Sequence, residues 1–223
     1  MVGTRRDFIV AGLGAGAAAA GWAASAPVIL VLGDSLSAEY GLKRGSGWVA
    51  LLEGRLAQEK IPARVVNASI SGDTTSGGRA RLPALLAQHK PTHVIIELGA
   101  NDALRGLPLA GSEDNLARMT QMAQKAGARV LLVGMQVPPN YGSDYTNKFA
   151  GLFPKVAAQY HAGLVPFLLA GVADAPDARN LFQSDGIHPR AEAHPRILDN
   201  VWPELKKQLA GGEPRHGDGR VAR

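Results

Sequence analysis

The sequence predicts an α/β fold, a five-stranded parallel sheet wrapped by helices, and three of its features carry that prediction. Short apolar runs rich in Val, Ile and Leu alternate along the chain with longer segments of helical periodicity, the pattern of successive βα units. The apolar runs are continuous rather than alternating, as expected of strands covered on both faces. Each run gives way to a polar or Gly/Pro-rich stretch, at the strand ends where an open parallel sheet keeps its ligand crevice.

Taken in order, the first strand is VILVLG, residues 28 to 33, and a helix is expected over 48 to 59, where Trp48, Leu51, Leu52 and Leu56 recur at helical spacing. The second strand is ARVVNAS, 63 to 69, entered after Pro62, and the next helix runs over 77 to 89. Pro91 separates that helix from the third strand, THVIIELG at 92 to 99; both prolines stand where a helix should already have ended. A helix over 113 to 126 is closed by Gly127, placed as its C-terminal cap, and leads into the fourth strand, ARVLLVGM at 128 to 135. A helix over 146 to 161, a fifth strand LVPFLL at 164 to 169 and a last helix over 191 to 209 complete the series. Loops are short and no internal repeat is visible, so one domain spans 27 to 210. The remainder, 211 to 223, lacks apolar periodicity and is expected to be disordered, because it cannot bury enough surface to offset the entropy of ordering it.

Composition narrows the chemistry. With 223 residues, 46% apolar and 19% charged, the chain is long enough for one well-packed core. It has no cysteine, which excludes disulfides, thiolate nucleophiles and cysteine-ligated zinc. The formal charge of +5 includes +1 from the first 26 residues and +1 from the tail, and the basic residues between are scattered among acids without interleaved aromatics. A solvated surface is expected, not a nucleic-acid partner.

Residues 1 to 26 read as an export signal: a short basic start, a Gly/Ala-rich apolar stretch from Phe8, and Ala24-Ser25-Ala26 as a small-residue cleavage site. TRRDFI, with Arg5 and Arg6, resembles the twin-arginine signal, whose export machinery carries folded proteins. Its glycines make the segment a poor membrane anchor, so no stable insertion is expected after cleavage and the mature protein is expected in the periplasm or secreted. The same stretch contains GLGAGA, which imitates a dinucleotide fingerprint, but no strand precedes it and no acidic residue follows at the required distance.

The strand ends carry the candidate site. A serine hydroxyl needs a base within hydrogen-bond reach and donors aimed at the developing oxyanion before it can transfer acyl groups. Ser35 stands in GDSLS at the corner after the first strand, beside Gly33; His188 is the only histidine in a strand-end loop, and Asp185 precedes it by three residues, within reach of the imidazole. Gly72, in SISGDTT after the second strand, offers an unobstructed backbone N–H, Asn101, in GANDALRG after the third, offers its amide, and Ser35 offers its own backbone N–H. Asp34, Asp73 and Asp102 read as ties for loop N–H groups. Glu97 lies inside the third strand, an odd place for a carboxylate, and its partner is not legible. Leu104, Leu107, Pro138, Pro139 and Tyr141, in loops 103 to 110 and 138 to 146, either wall an acyl groove or pack locally. His89, His93, His161, His194 and His216 show no metal-ligand spacing.

GDSLS with Ser35, SGD with Gly72, GAND with Gly99 and Asn101, and DGIHP with Asp185 and His188 resemble, in order, the four blocks of the SGNH (GDSL-type) hydrolases. The phrases GDSLSAEYGL, VVNASISGDTT, ARLPALLAQHKPTHVIIELGANDALRG and PPNYG further resemble the bacterial arylesterase, thioesterase I and lysophospholipase subgroup, and the likeness covers about 28 to 209. The resemblance implies a flavodoxin-like three-layer α/β/α sandwich, no metal or organic cofactor, Ser35 as nucleophile, His188 as base, Asp185 as its orienter, and Ser35, Gly72 and Asn101 as oxyanion donors. It also implies a small-molecule ester as substrate: aryl esters, acyl esters, lysophospholipids or thioesters. Two rivals stand beside this reading, a carbohydrate O-deacetylase of the same fold and a nucleotide- or flavin-binding domain. The second lacks any phosphate-cradling motif. Nothing in the sequence indicates the oligomeric state.

Overall fold

A computed structural model describes residues 26 to 211; the expected export signal, all but its last residue, and the expected disordered tail, all but its first, lie outside the described residues. The described chain forms β1 (Val28–Gly33), α1 (Trp48–Gln58), β2 (Arg64–Asn67), α2 (Thr75–His89), β3 (His93–Glu97), α3 (Ala100–Leu104), α4 (Leu109–Lys125), β4 (Arg129–Val133), α5 (Ser143–Tyr160), β5 (Gly163–Val165), α6 (Ala178–Leu181) and α7 (His194–Ala210). Short 3-10 turns at Pro139–Tyr141 and Ala191–Ala193 precede α5 and α7.

The five strands pair in the order β2-β1-β3-β4-β5, all parallel. That is the flavodoxin-like order, and its direction of winding reverses between β1 and β3, the point beyond whose carboxyl ends such sheets hold their ligands. The two-residue side-chain period of the strands splits the core in two. Ile29, Val31, Ile95, Leu131, Val133 and Val165 face α1 and α7, packing on Trp48, Leu52, Ile197, Val201 and Leu205. Leu30, Leu32, Val94, Ile96, Val130 and Leu132 face α2, α4 and α5, packing on Leu82, Leu116, Met119, Phe149 and Phe153. Helices therefore cover both faces of the sheet.

The differences from the sequence reading have local causes. β5 ends at Val165, short of residue 169, because Pro166 has no N–H for the ladder, and the chain turns there, Leu168 N–H donating to Gly134 O at 2.9 Å. α2 begins two residues earlier than periodicity suggests, since the Thr74 hydroxyl caps it by accepting from Gly77 N–H, 3.3 Å. α4 starts at Leu109 instead of 113, directly after Pro108. The stretch read as a loop, 103 to 110, contains the end of α3 and the start of α4. β2 is an edge strand and is only partly buried, so continuous double-sided burial holds for the inner strands β1, β3 and β4. Gly127 follows α4 with φ +86°, the left-handed conformation that a C-terminal glycine accommodates without a Cβ clash.

Candidate active site

Ser35, half-buried, sits in the turn that follows β1, and the turn is held from below. Asp34 is buried, and its Oδ1 accepts the N–H of Leu36 at 3.0 Å, an Asx turn that fixes the backbone on either side of the serine. Glu97 at the end of β3 reaches across: its Oε2 accepts from the Ser37 hydroxyl at 2.7 Å and from Asp34 N–H at 3.4 Å, and Ser37 Oγ in turn accepts from the Trp48 indole N–H at 3.2 Å. These are the partners of Glu97 that the sequence left unidentified. Gly33 must be a glycine for the same reason, because a Cβ there would lie 2.7 Å from Ser37 Oγ and 2.8 Å from Glu97 Oε2.

Burial pushes the Glu97 carboxyl well above the ordinary carboxylate range, and the neighbouring Asp34 charge pushes it further. Burial also raises Asp34 to about 6, against the lowering effect of the hydrogen bonds from Leu36 N–H and the Asn101 amide. Two carboxyls packed this closely in a dry site cannot both ionise cheaply, and fully buried Glu97 is the one that keeps its proton.

The loop carrying Asp185 and His188 lies opposite the serine. Asp185 Oδ1 accepts the backbone N–H of Ile187 at 2.9 Å and of His188 at 3.0 Å, and its Oδ2 lies 2.7 Å from His188 Nδ1. Those bonds, led by the His188 backbone N–H, pull the Asp185 carboxyl down to about 2, so near neutrality it is a carboxylate and accepts only. The imidazole proton therefore sits on Nδ1 and donates to Asp185, leaving Nε2 as acceptor, 2.9 Å from Ser35 Oγ. Three residues from two loops, 153 positions apart at the long step, form one continuous hydrogen-bond relay.

At the strand ends three N–H groups have a hydrogen to offer. The backbone N–H groups of Ser35 and Gly72 have no acceptor among the described residues. Asn101, in the first turn of α3, gives one Nδ2 hydrogen to Asp34 Oδ2 at 2.9 Å and keeps the other. Gly72 holds φ +78°, a conformation costly to any residue with a Cβ. Arg105, one turn after Asn101, donates to Gly72 O at 2.7 Å and so bridges the two loops that carry the outer donors.

Sequence reasoning missed four of these contacts: Asp34 to Asn101, Arg105 to Gly72, Glu97 to Ser37, and the ring of Tyr40 lying on His188 with centroids 4.3 Å apart. Each joins segments far apart in the chain, and only the buried strand position of Glu97 left a trace in the sequence. The other aspartates tie down loop N–H groups as read: Asp73 Oδ1 accepts from Thr74 N–H at 2.9 Å, its Oδ2 also pairing with Arg81 at 2.8 Å, while Asp102 accepts from Thr75 N–H at 2.8 Å, the Thr75 hydroxyl and the Ser112 hydroxyl at 3.1 Å. His194 Nδ1 accepts Trp48 N–H at 3.0 Å at the start of α1, and burial holds this imidazole below its ordinary pKa.

Leu104, Leu107, Pro138 and Tyr141, in the connections after β3 and β4, are exposed instead of packed into the core. Two surface clefts of about 450 and 360 Å³ lie elsewhere, between α1 and β2 and between α4 and α5, and neither is lined by Ser35, Gly72, Asn101, Asp185 or His188. Among the described residues no cluster of three His, Cys, Asp or Glu side chains is placed to hold a metal ion, and no helix is long and apolar enough to cross a membrane.

Residues 31–196 match the model of the GDSL-like Lipase/Acylhydrolase family. The chain is 55% identical over 186 residues to the esterase TesA of Pseudomonas aeruginosa, covering 83% of this chain and 91% of that protein. It is 44% identical over 187 residues to thioesterase 1/protease 1/lysophospholipase L1 of Escherichia coli, covering 84% and 85% of the two chains. A crystal structure of the psychrotrophic esterase EstA from Pseudoalteromonas sp., inhibited by monoethylphosphonate, is similar with a TM-score of 0.77 at 42% identity, covering 82% of this chain and 98% of that one.

Proposed function

The chain belongs to the GDSL-like lipase/acylhydrolase family, and from that premise we propose that it is an exported serine esterase that cleaves carboxylic esters through an acyl-enzyme. The observation that carries the mechanism is the relay Asp185–His188–Ser35, at 2.7 and 2.9 Å. In this reading Ser35 Oγ attacks the ester carbonyl as His188 Nε2 takes its proton. The negative charge that develops on the carbonyl oxygen is met by the N–H groups of Ser35, Gly72 and Asn101. The imidazolium, steadied by the Asp185 carboxylate, then protonates the departing alcohol, leaving the acyl group on Ser35. Water activated by His188 attacks the acyl-enzyme and releases the acid.

The substrates that fit are aryl esters, medium- or long-chain acyl esters and lysophospholipids, with thioesters as secondary chemistry. Relatives named esterase and thioesterase 1/lysophospholipase L1 support this range, and Leu104, Leu107, Pro138 and Tyr141 are the side chains we assign to the acyl group. Residues 1 to 26 support delivery to the periplasm or beyond by the twin-arginine machinery. The reaction needs no metal or organic cofactor.

Hydrolysis of p-nitrophenyl esters from acetate to palmitate, by the wild type and by Ser35→Ala and His188→Ala, tests the reading. Activity that rises toward medium or long chains and falls by orders of magnitude in both variants supports it. Activity on acetate alone points to a deacetylase, and activity indifferent to Ser35→Ala overturns the assignment of the nucleophile. Cell fractionation of an Arg5→Lys/Arg6→Lys variant tests export; undiminished export excludes the twin-arginine route.

A further inference from the structure

The large apolar side chains that remain exposed among the described residues are Tyr40, Ile70, Leu104, Leu107, Tyr141 and Ile187, at 37% to 53% exposure. They come from five separate connections, after β1, β2, β3, β4 and β5, and so all stand at the carboxyl-end edge of the sheet. Among the described residues no large hydrophobic side chain is exposed at the opposite edge or on the outer faces of the helices. Scattered single exposed hydrophobics are ordinary, but a set gathered at one end marks an interaction surface.

The set also encircles the relay. Tyr40 lies on the His188 ring, Ile187 is its chain neighbour, Ile70 is two residues from Gly72 and Leu104 three from Asn101. Tyr141 stacks on Tyr145 with ring centroids 6.1 Å apart, and the Tyr145 hydroxyl donates to Ala103 O at 3.3 Å. A rigid protein partner seated on this rim would seal the serine from its substrate. A fluid surface that itself presents ester carbonyls would not.

The charges of the rim add a sign. Glu39 is spent on the N–H groups of Gly45 and Gly47, Asp73 on Arg81, Asp144 on Lys148, Asp174 on Gly171 N–H and Asp185 on His188, while Asp177 is exposed and has no basic partner among the described residues. Lys43, Arg44 and Arg105, on the same loops as Tyr40 and Leu104, are exposed and have no carboxylate within ion-pair distance among the described residues. An apolar rim with uncompensated basic residues is complementary to the surface of an anionic lipid aggregate.

We infer that this end of the molecule docks on anionic lipid surfaces, laying the mouth of the active site against the layer from which it draws acyl esters. The inference rests on the esterase reading for its purpose but not for its test. Vesicles of diether phosphatidylglycerol, with diether phosphatidylcholine as the neutral counterpart, contain no ester and cannot be consumed. Co-sedimentation of the full chain is expected with the anionic vesicles and only weakly with the neutral ones. Ile70→Asp is expected to weaken anionic-vesicle binding about tenfold, since it removes the most exposed apolar side chain and adds a like charge. Lys43→Ser/Arg44→Ser is expected to weaken it by a similar factor on phosphatidylglycerol and little on phosphatidylcholine. All three proteins should hydrolyse a soluble butyrate ester at the same rate.

Equal sedimentation of wild type and both variants overturns the docking surface and assigns any binding to another part of the chain. Equal binding to anionic and neutral vesicles overturns the charge argument. Failure to hydrolyse the soluble ester, with vesicle binding intact, counts against the esterase reading and leaves the docking surface standing.

Discussion

Replacing Asp34 by Asn should stabilise this protein while crippling it. The carboxyl is buried, and its rise from 3.8 to about 6 means that the folded state holds a proton more tightly than the unfolded chain. Between those values the unfolded state binds fewer protons, so stability falls as pH rises from about 4 to about 6, and above that the ionised carboxylate costs the fold as much as about 3 kcal/mol. Asparagine is nearly isosteric and cannot ionise. At pH 7 it should recover up to that amount, which for a domain of this size raises Tm by about 5 to 10 °C, and at pH 4 the gain should vanish.

Activity should move the other way. Asp34 Oδ2 is an acceptor, and it keeps Asn101 turned with Nδ2 toward it. In Asp34→Asn the new Nδ2 can meet the Asn101 carboxamide only if that group flips, which aims its oxygen where the oxyanion must form. Loss of one such donor costs roughly 10²- to 10³-fold in kcat. Asp34→Ala leaves Asn101 untethered but not reversed and should lose less than Asp34→Asn. Thermal melts at pH 4 and 7, with kcat and KM for a soluble ester, check all of this. A variant that is less stable at pH 7 than the wild type, or one that is fully active, refutes the reasoning.

Asp185→Asn replaces the carboxylate that fixes the His188 tautomer and should lower kcat by roughly 10⁴-fold, with a modest loss of stability near neutral pH because the side chain is partly exposed. Because its folded-state pKa is depressed to about 2, the stability that Asp185 contributes is present above about pH 4 and is lost as pH falls toward 2; acid titration of the wild type and the variant should converge there. Gly33→Ala drives a Cβ into Ser37 Oγ and Glu97 Oε2 and should cost about 2 kcal/mol or more in urea denaturation, with activity reduced through displacement of the serine turn. His194→Ala leaves the buried N–H of Trp48 without its acceptor and should cost about 1–3 kcal/mol without changing KM. Phe153→Ala, in the core between the sheet and α5, should cost about 3–5 kcal/mol.

Much of this molecule is written locally. The continuous apolar runs at β1, β3 and β4, the helical spacing through Trp48 and Leu56, and the punctuation by Pro62, Pro91 and Gly127 each act within a few residues, so sequence alone determines the βα alternation and hence a parallel sheet. The four polar blocks at the strand ends likewise identify Ser35, Gly72, Asn101, Asp185 and His188, because a parallel sheet delivers all its strand ends to one edge whatever the details. Boundaries were less legible where a single side chain decides them, as Pro166 does for β5 and the Thr74 cap for α2.

What only the tertiary structure decided are the contacts made across the crevice. Strand order puts β1 beside β3, so that Glu97 falls under the serine turn and Asp34 meets Asn101; no pattern in either segment specifies the other. Tyr40 finds His188, and Arg105 finds Gly72, by the same route. Sequence periodicity reports which face of its own element a residue occupies. Which residue of a distant element comes to lie opposite depends on how both pack on the shared sheet, and the fine geometry of the site is made of such encounters.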